Sequence, residues 1–325
     1  MTYQPLRRLL PALFLALLLA ACSHPLLNAS SHPLAGSIWD IGAQQQVDAD
    51  MLARRASAAR FVLLGEIHDN KAQHDIQLRL LEQLVRTGKR PALVMEQYDR
   101  EQQKRIDGIL ASDAATEAKV QQLGALMGKG WDWPYYQPLV RLAVAEHPPI
   151  AAANLSRAKL RQVAREGFAA LGAGEEARLM LEAVWTPERD KLLRQDIFEG
   201  HCRKLPEQVV PAIAKSQRAR DAVMADTLLR YRERGAVGIM GNGHARRDMA
   251  VPLYLAARAP DAPVLSLGLV QADEGDEPMA YASSPAGQVY DFVWFTGSAK
   301  RATNPCDEIA APSTNSKDST DSKGS

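Results

Sequence analysis

Two histidines in this chain each stand three residues after a glycine, in Gly65-Glu66-Ile67-His68 and in Gly241-Asn242-Gly243-His244. A second carboxylate, Glu96, closes one apolar run, and Asn154 followed by Arg157 closes another. Carboxylates and imidazoles are the groups that move protons or hold a divalent metal, and charges are rarely gathered without a partner. Each residue also has a structural use: Asp69 or Asn70 can cap a helix, Asn242-Gly243 is a frequent turn dipeptide, and a glycine permits a tight turn before a histidine. Two such histidines together with Glu66 and Glu96 favour a functional site over a set of unrelated turns.

The elements that must position these groups are short apolar runs alternating with helical patterns. Residues 60–65 (RFVLLG), 91–96 (PALVME), 149–154 (PIAAAN), 237–241 (VGIMG) and 262–268 (APVLSLG) read as strands. Ile76, Leu80, Leu81, Leu84 and Val85 mark one face of a helix between the first two. The alternation predicts an α/β fold, a mostly parallel sheet with helices on both faces. Residues 290–296 read as a further strand at an edge, and 156–235, with no convincing strand, as a helical insertion acting as a lid. In such a sheet the ligand crevice lies outside the carboxyl ends of the strands, so segments near positions 66, 96, 154 and 244 are expected to converge there.

Composition sets the class. The chain has 325 residues, 46% apolar and 24% charged, with 39 basic against 38 acidic side chains. That is a globular balance, and it lacks the basic excess that a general nucleic-acid footprint needs. Arg7 and Arg8, an apolar run from Leu9 to Ala21 and then Cys22 read as a secretory segment, too short for a stable membrane span. Leu19-Ala20-Ala21-Cys22 resembles the lipobox of bacterial lipoproteins, where cleavage precedes a cysteine that carries lipid, and Ser23 in place of Asp implies the periplasmic face of the outer membrane. The expected organisation is a signal peptide over 1–21, a tether over 22–37, one domain over 38–307 and a disordered tail over 308–325. Cys202 and Cys306 remain after Cys22; in an oxidising compartment a disulfide is expected, with two buried thiols or a shared soft-metal site as alternatives.

The two Gly-x-x-His motifs, with Glu96 ending the second strand, resemble the superfamily that contains the ChaN haem-binding lipoproteins, the TraB and Tiki proteins and the erythromycin esterases. The ChaN branch is the closer likeness, through GEIHDN followed by His74 and Gln77, the stretch WDWPYYQPLVRLA, the Asn154/Arg157 turn, His201-Cys202, and GNGHARRD ending near Pro252. The resemblance spans roughly residues 55–307. It implies an outer-membrane lipoprotein of haem and iron uptake that binds ferric haem, with haem transporter components as candidate partners and with storage, hand-over to a transporter and removal of iron all left open. It further implies a homodimer enclosing two cofacial haems, each iron held by a tyrosine of one subunit, with propionates held by His and Lys or Arg of the other.

On this sequence the resemblance offers Tyr98, then Tyr136, as iron ligand, with Tyr135 in the same aromatic cluster as Trp131 and Trp133. His68, His244, Arg246, Arg247 and Arg157 are the candidates around the cofactor, since Arg forms forked bonds to carboxylates. The rival is a hydrolase or protease: His68, Glu96 and His244, with Glu66 nearby, would hold a divalent metal as in the Tiki proteins, or a His and a Glu would serve as general base without metal. Neither Gly-x-Ser-x-Gly nor His-Glu-x-x-His occurs. A noncatalytic chaperone or scaffold at the outer membrane is the third reading.

Overall fold

The computed structural model describes residues 32–272, 277–299, 301 and 303–308. The signal segment, Cys22, most of the expected tether and the tail beyond 308 lie outside the described residues.

The chain opens with β1 (Ile38–Asp40) and β2 (Gln45–Val47), followed by α1 (Ala49–Ala58), β3 (Phe61–Glu66) and α2 (Lys71–Arg86). Next come β4 (Ala92–Asp99), α3 (Gln103–Ala111), α4 (Thr116–Leu126), α5 (Trp133–Glu146) and β5 (Ile150–Asn154). Then follow α6 (Arg157–Glu166), α7 (Glu175–Arg178), α8 (Pro187–Gly200), α9 (Val210–Leu229) and β6 (Ala236–Gly241). The last main elements are α10 (Asn242–Ala245), α11 (Val251–Arg258), β7 (Val264–Gln271) and β8 (Phe292–Thr296).

The strands form one eight-stranded sheet in the order β2-β1-β8-β7-β3-β6-β4-β5. Neighbours from β8 to β5 are parallel, and β1 runs antiparallel to both β8 and β2. The segment expected at an edge is therefore internal: β8 pairs with β7 on one side and β1 on the other. Strands of three residues, as β1 and β2 are, show too little alternation to be read from sequence.

Strand alternation sorts the core into two layers. Phe61, Leu63, Val94, Ala151 and Val293 face α9, α11 and α6, whereas Val62, Leu64, Leu93, Met95, Ile150 and Leu267 face α1, α2, α4 and α5. Each fully buried Leu, Ile or Phe contributes about 1.5–3 kcal/mol, so both layers hold the sheet between helices. The expected insertion consists of helices and turns: α9 lies on the sheet against β4, β5 and β6, and α6 brings Arg157 and Leu160 to the rim of a cleft. At the border of the sheet, the Gln103 side chain donates from Nε2 to the Ile150 carbonyl (3.0 Å) and accepts the Ala152 N–H at Oε1 (2.7 Å).

Two expected turns resolve differently. Asn70 caps α2 by accepting the Ala72 N–H at 3.1 Å, whereas Asp69 accepts from Nε and Nη2 of Arg301 at 2.5 and 2.6 Å. Asn242-Gly243 opens the helical turn α10 instead of a β-turn, and the Asn242 side chain bonds the backbone of Leu269. Cys202 and Cys306 form a disulfide across a sequence separation of 104, tying the end of α8 to the chain beyond β8. Among the described residues no helix is long and apolar enough to cross a membrane.

Candidate functional site

Side-chain parity at the strand ends decides what each carboxylate meets. Glu66 follows Val62 and Leu64 onto the α2/α5 side, and Glu96 follows Ala92 and Val94 onto the α9 side. Both are 2% exposed.

Glu66 is the hub of the first side. Its Oε1 accepts the Tyr136 hydroxyl at 2.6 Å and Gln97 Nε2 at 3.2 Å and lies 2.9 Å from His68 Nδ1, while Oε2 accepts Gln77 Nε2 at 2.7 Å. His74 Nε2 carries a proton, because its partner at 3.0 Å is the His68 carbonyl, and its Nδ1 stands 3.4 Å from Glu66 Oε2. Burial alone would raise the Glu66 pKa, but the His68 hydrogen bond, the neighbouring His74 and the Tyr136 hydroxyl bring it below the ordinary value.

Glu96 organises the second side. Its Oε2 accepts the Gly241 N–H at 2.7 Å, its Oε1 is ion-paired with Arg220, and His244 Nε2 lies 3.5 Å from Oε1. His244 Nδ1 bonds Asp221 Oδ1 at 2.5 Å. Burial favours neutral imidazole, yet Glu96 and Asp221 raise His244 to about 9. Burial shifts Asp221 upward against the pull of His244.

The two sides meet at Gly241. The His68 ring lies over it, with Cε1 and Nε2 each 3.1 Å from where a Cβ would sit and Glu96 Oε2 3.7 Å from the same point. Segments near 66, 96, 154 and 244 therefore converge, as the crevice rule requires. Beside them opens a cleft of about 580 Å³ lined by His68, Trp131, Leu155, Leu160, Arg157 and Arg220, with Lys129 and Asp99 at its walls. Asn154, at the end of β5, accepts from Arg220 Nε at 3.0 Å.

The proposed cofactor residues fall into three groups. His68 and Arg157 line the cleft, and His244 is enclosed beneath it at 3% exposure. Tyr98 and Tyr136 do not reach it: both are completely buried, Tyr98 donating to the Leu123 carbonyl at 3.2 Å and Tyr136 to Glu66. Burial raises both phenols, and the charge of Glu66 raises Tyr136 further, so neither is available as a phenolate ligand in this conformation. Arg246 turns to Asp196 (2.7 Å) and Asp248 (2.8 Å), and Arg247 to Asp291 (2.7 Å), away from the cleft lining. For the rival reading, among the described residues no group of three or more His, Cys, Asp or Glu side chains is arranged to hold a metal ion.

Sequence reasoning missed three residues of α9: Arg220, Asp221 and Gln217, whose side-chain amide lies 3.2 Å from His244 Nε2. The signal was present: a helix with buried apolar residues on several faces (Ala219, Ala222, Val223, Met224, Ala225) has little exposed face for its polar residues, so some of them must point at a partner inside.

Comparison with known proteins gives the family and the fold. The family model described as haem-binding uptake, Tiki superfamily, ChaN matches residues 52–255, more than half of the chain. The chain belongs to that family. Its fold is similar to the ChaN of Campylobacter jejuni, whose structure concerns cofacial haem binding, with a TM-score of 0.63 and 19% identity over 79% of this chain and 95% of that one. Looser likenesses are the type III effector HopBA1 (TM-score 0.42, 13% identity, 76% of this chain and 92% of that one) and an erythromycin esterase mutant, EreC, in its open conformation (0.40, 14%, 73% and 76%). No curated protein matches. The mixed, mostly parallel sheet expected from the sequence is thus the ChaN fold.

Proposed function

We propose that this ChaN-family chain is a periplasmic haem-binding lipoprotein of haem and iron uptake, anchored to the outer membrane through Cys22. The cleft carries the reading. A planar, hydrophobic ligand with two carboxylates needs apolar walls and cations at one edge; Trp131, Leu155 and Leu160 supply the walls, and Lys129, Arg157 and Arg220 the cations. Lys129 and Arg157 form no close ion pair among the described residues, so their charges are open to propionates. The haem itself would supply the iron chemistry; the chain positions it and balances its charge. Support for the anchor is the lipobox, and for a dimer around ferric haem the family picture alone.

Titrating haemin into the mature protein tests this. A saturable Soret change, weakened by Arg157→Ala and Lys129→Ala, is expected, and no saturable change would remove the proposal. Loss of lipid labelling and of outer-membrane fractionation in Cys22→Ala tests the anchor, and light scattering with and without haemin tests the dimer.

One observation favours hydrolysis as a second reading: His68–Glu66 and His244–Asp221 are imidazole–carboxylate pairs of the kind that orient a general base. With no convergent donor set, that reading is the metal-free one. Turnover of an ester panel that survives chelation and is abolished by His68→Ala would establish it.

A further inference from the structure

We propose that a pocket at the amino-terminal end of the sheet, the end opposite the cleft described above, is a binding site for a phosphate-bearing anion, held by Arg60, Lys89 and Arg234.

Strand register brings the three cations together. Phe61, Ala236 and Ala92 are aligned across the neighbouring parallel strands β3, β6 and β4. Arg60, Arg234 and Lys89 lie just ahead of those positions. Adjacent strands are about 4.8 Å apart, so the three segments enter the sheet across a span of about 10 Å. Main-chain bonds fix them there: Ala236 N–H donates to the Arg60 carbonyl at 3.1 Å and Ala92 N–H to the Gly235 carbonyl at 2.9 Å. Gly235 has φ +88°, and a Cβ at that residue would stand 3.2 Å from the Arg60 carbonyl, so glycine is what lets the turn carrying Arg234 close onto Arg60.

Between these segments lies a pocket of about 180 Å³ whose other walls are small or apolar, among them Ala56, Leu84, Pro91 and Val237; no Asp or Glu lines it. Each cation spends one donor on a main-chain carbonyl: Arg60 Nη1 on Glu233 at 2.9 Å, Arg234 Nη1 on Arg90 at 3.3 Å, and Lys89 Nζ on Ser57. A carbonyl fixes a side chain without cancelling its charge. Neighbouring cations are treated differently, since Arg232 is paired with Asp261 and Arg90 faces Glu146 at 4.0 Å. Among the described residues, three positive charges therefore border one hollow with no carboxylate opposing them, an arrangement that concentrates anions.

The donor pattern selects the anion. One guanidinium fork satisfies a lone carboxylate, whereas donors arriving from three chain segments suit a tetrahedral group whose oxygens point in different directions. A phosphate monoester also carries nearly two negative charges at neutral pH, which answers the surplus. A soluble phosphate ester and a phospholipid headgroup share this chemistry.

Calorimetric titration of inorganic phosphate into the mature protein, in phosphate-free buffer, tests the site, with Arg60→Ala, Arg234→Ala and, as control, Arg165→Ala, an exposed cation on α6. Expected are saturable binding in wild type and in the control, at least tenfold weaker binding in the other two variants, and a phosphate-dependent rise in melting temperature that those two lose. All three replaced side chains are exposed, so without phosphate each variant should melt as wild type does, which separates lost binding from misfolding. Co-sedimentation with phosphatidylglycerol or phosphatidylcholine vesicles distinguishes the sources: retention on phosphatidylglycerol that free phosphate displaces and Arg60→Ala abolishes marks a headgroup site, and phosphate binding without retention marks a soluble ester. No saturable phosphate binding together with no displaceable retention, or Arg60→Ala and Arg234→Ala proteins that bind phosphate like wild type, overturns the proposal.

Discussion

The imidazole of His68 lies directly over the backbone of Gly241, with two ring atoms 3.1 Å from the place a Cβ would take. Gly241 has φ −58°, which any residue adopts, so Gly241→Ala is expected to cost under about 1 kcal/mol in stability while pushing the ring off its position. Haemin affinity should fall tenfold or more with the melting temperature nearly unchanged. Wild-type affinity in a well-folded Gly241→Ala protein would show that the ring position is immaterial.

The two buried tyrosines should separate cleanly. Tyr136→Phe removes a bond to a buried carboxylate and should cost about 1.5–3 kcal/mol, whereas Tyr98→Phe removes a neutral bond to the Leu123 carbonyl and should cost about 0.5–1.5 kcal/mol. Urea denaturation measures both. Neither variant should abolish haemin binding, because neither hydroxyl faces the cleft.

His244 makes stability depend on pH. Its folded pKa is raised from 6.5 to about 9, so its contribution is complete below about pH 6.5 and is lost as pH rises through 9. Unfolding free energy should therefore decline across that window, by up to about 3 kcal/mol from this group. His244→Asn should be less stable at pH 6 and show a flatter profile. An equally steep decline in the variant would assign the pH dependence elsewhere.

The Cys202–Cys306 disulfide closes a loop spanning 104 positions, for which chain entropy allows at most about 4–5 kcal/mol. The double variant Cys202→Ser/Cys306→Ser should melt several degrees lower, and a reducing agent should lower the wild type alike while leaving the variant unmoved. Identical melting of oxidised and reduced wild type would mean that the ion pair of Asp69 with Arg301 and the contacts of Asn70 with Gly297 suffice to hold this segment.

Much of the frame was legible because its signals are local. Each of the five main strands is an apolar run bounded by glycine, proline or a polar residue, and β3 to β7 begin or end within a few positions of those runs. His68, Glu66, Glu96 and His244 stood out because polar groups at the ends of buried strands have few other uses. Arg220 and Asp221 did not, since a helix hides which of its polar residues face inward until the packing of α9 on β4 and β5 is known. Tyr98 misled for the opposite reason: two residues past Glu96 it shares a strand with the site, yet it ends in the core under α4. Distance along a strand says nothing about which hydroxyl finds an acceptor first.

Gln103 has a consequence for how copies of this molecule meet. By imitating one rung of a neighbouring strand against Ile150 and Ala152, its amide occupies the hydrogen-bonding groups with which the outer rim of β5 would otherwise recruit another polypeptide. Strand addition at that rung of the flank is thereby blocked, as a covered sheet edge should be.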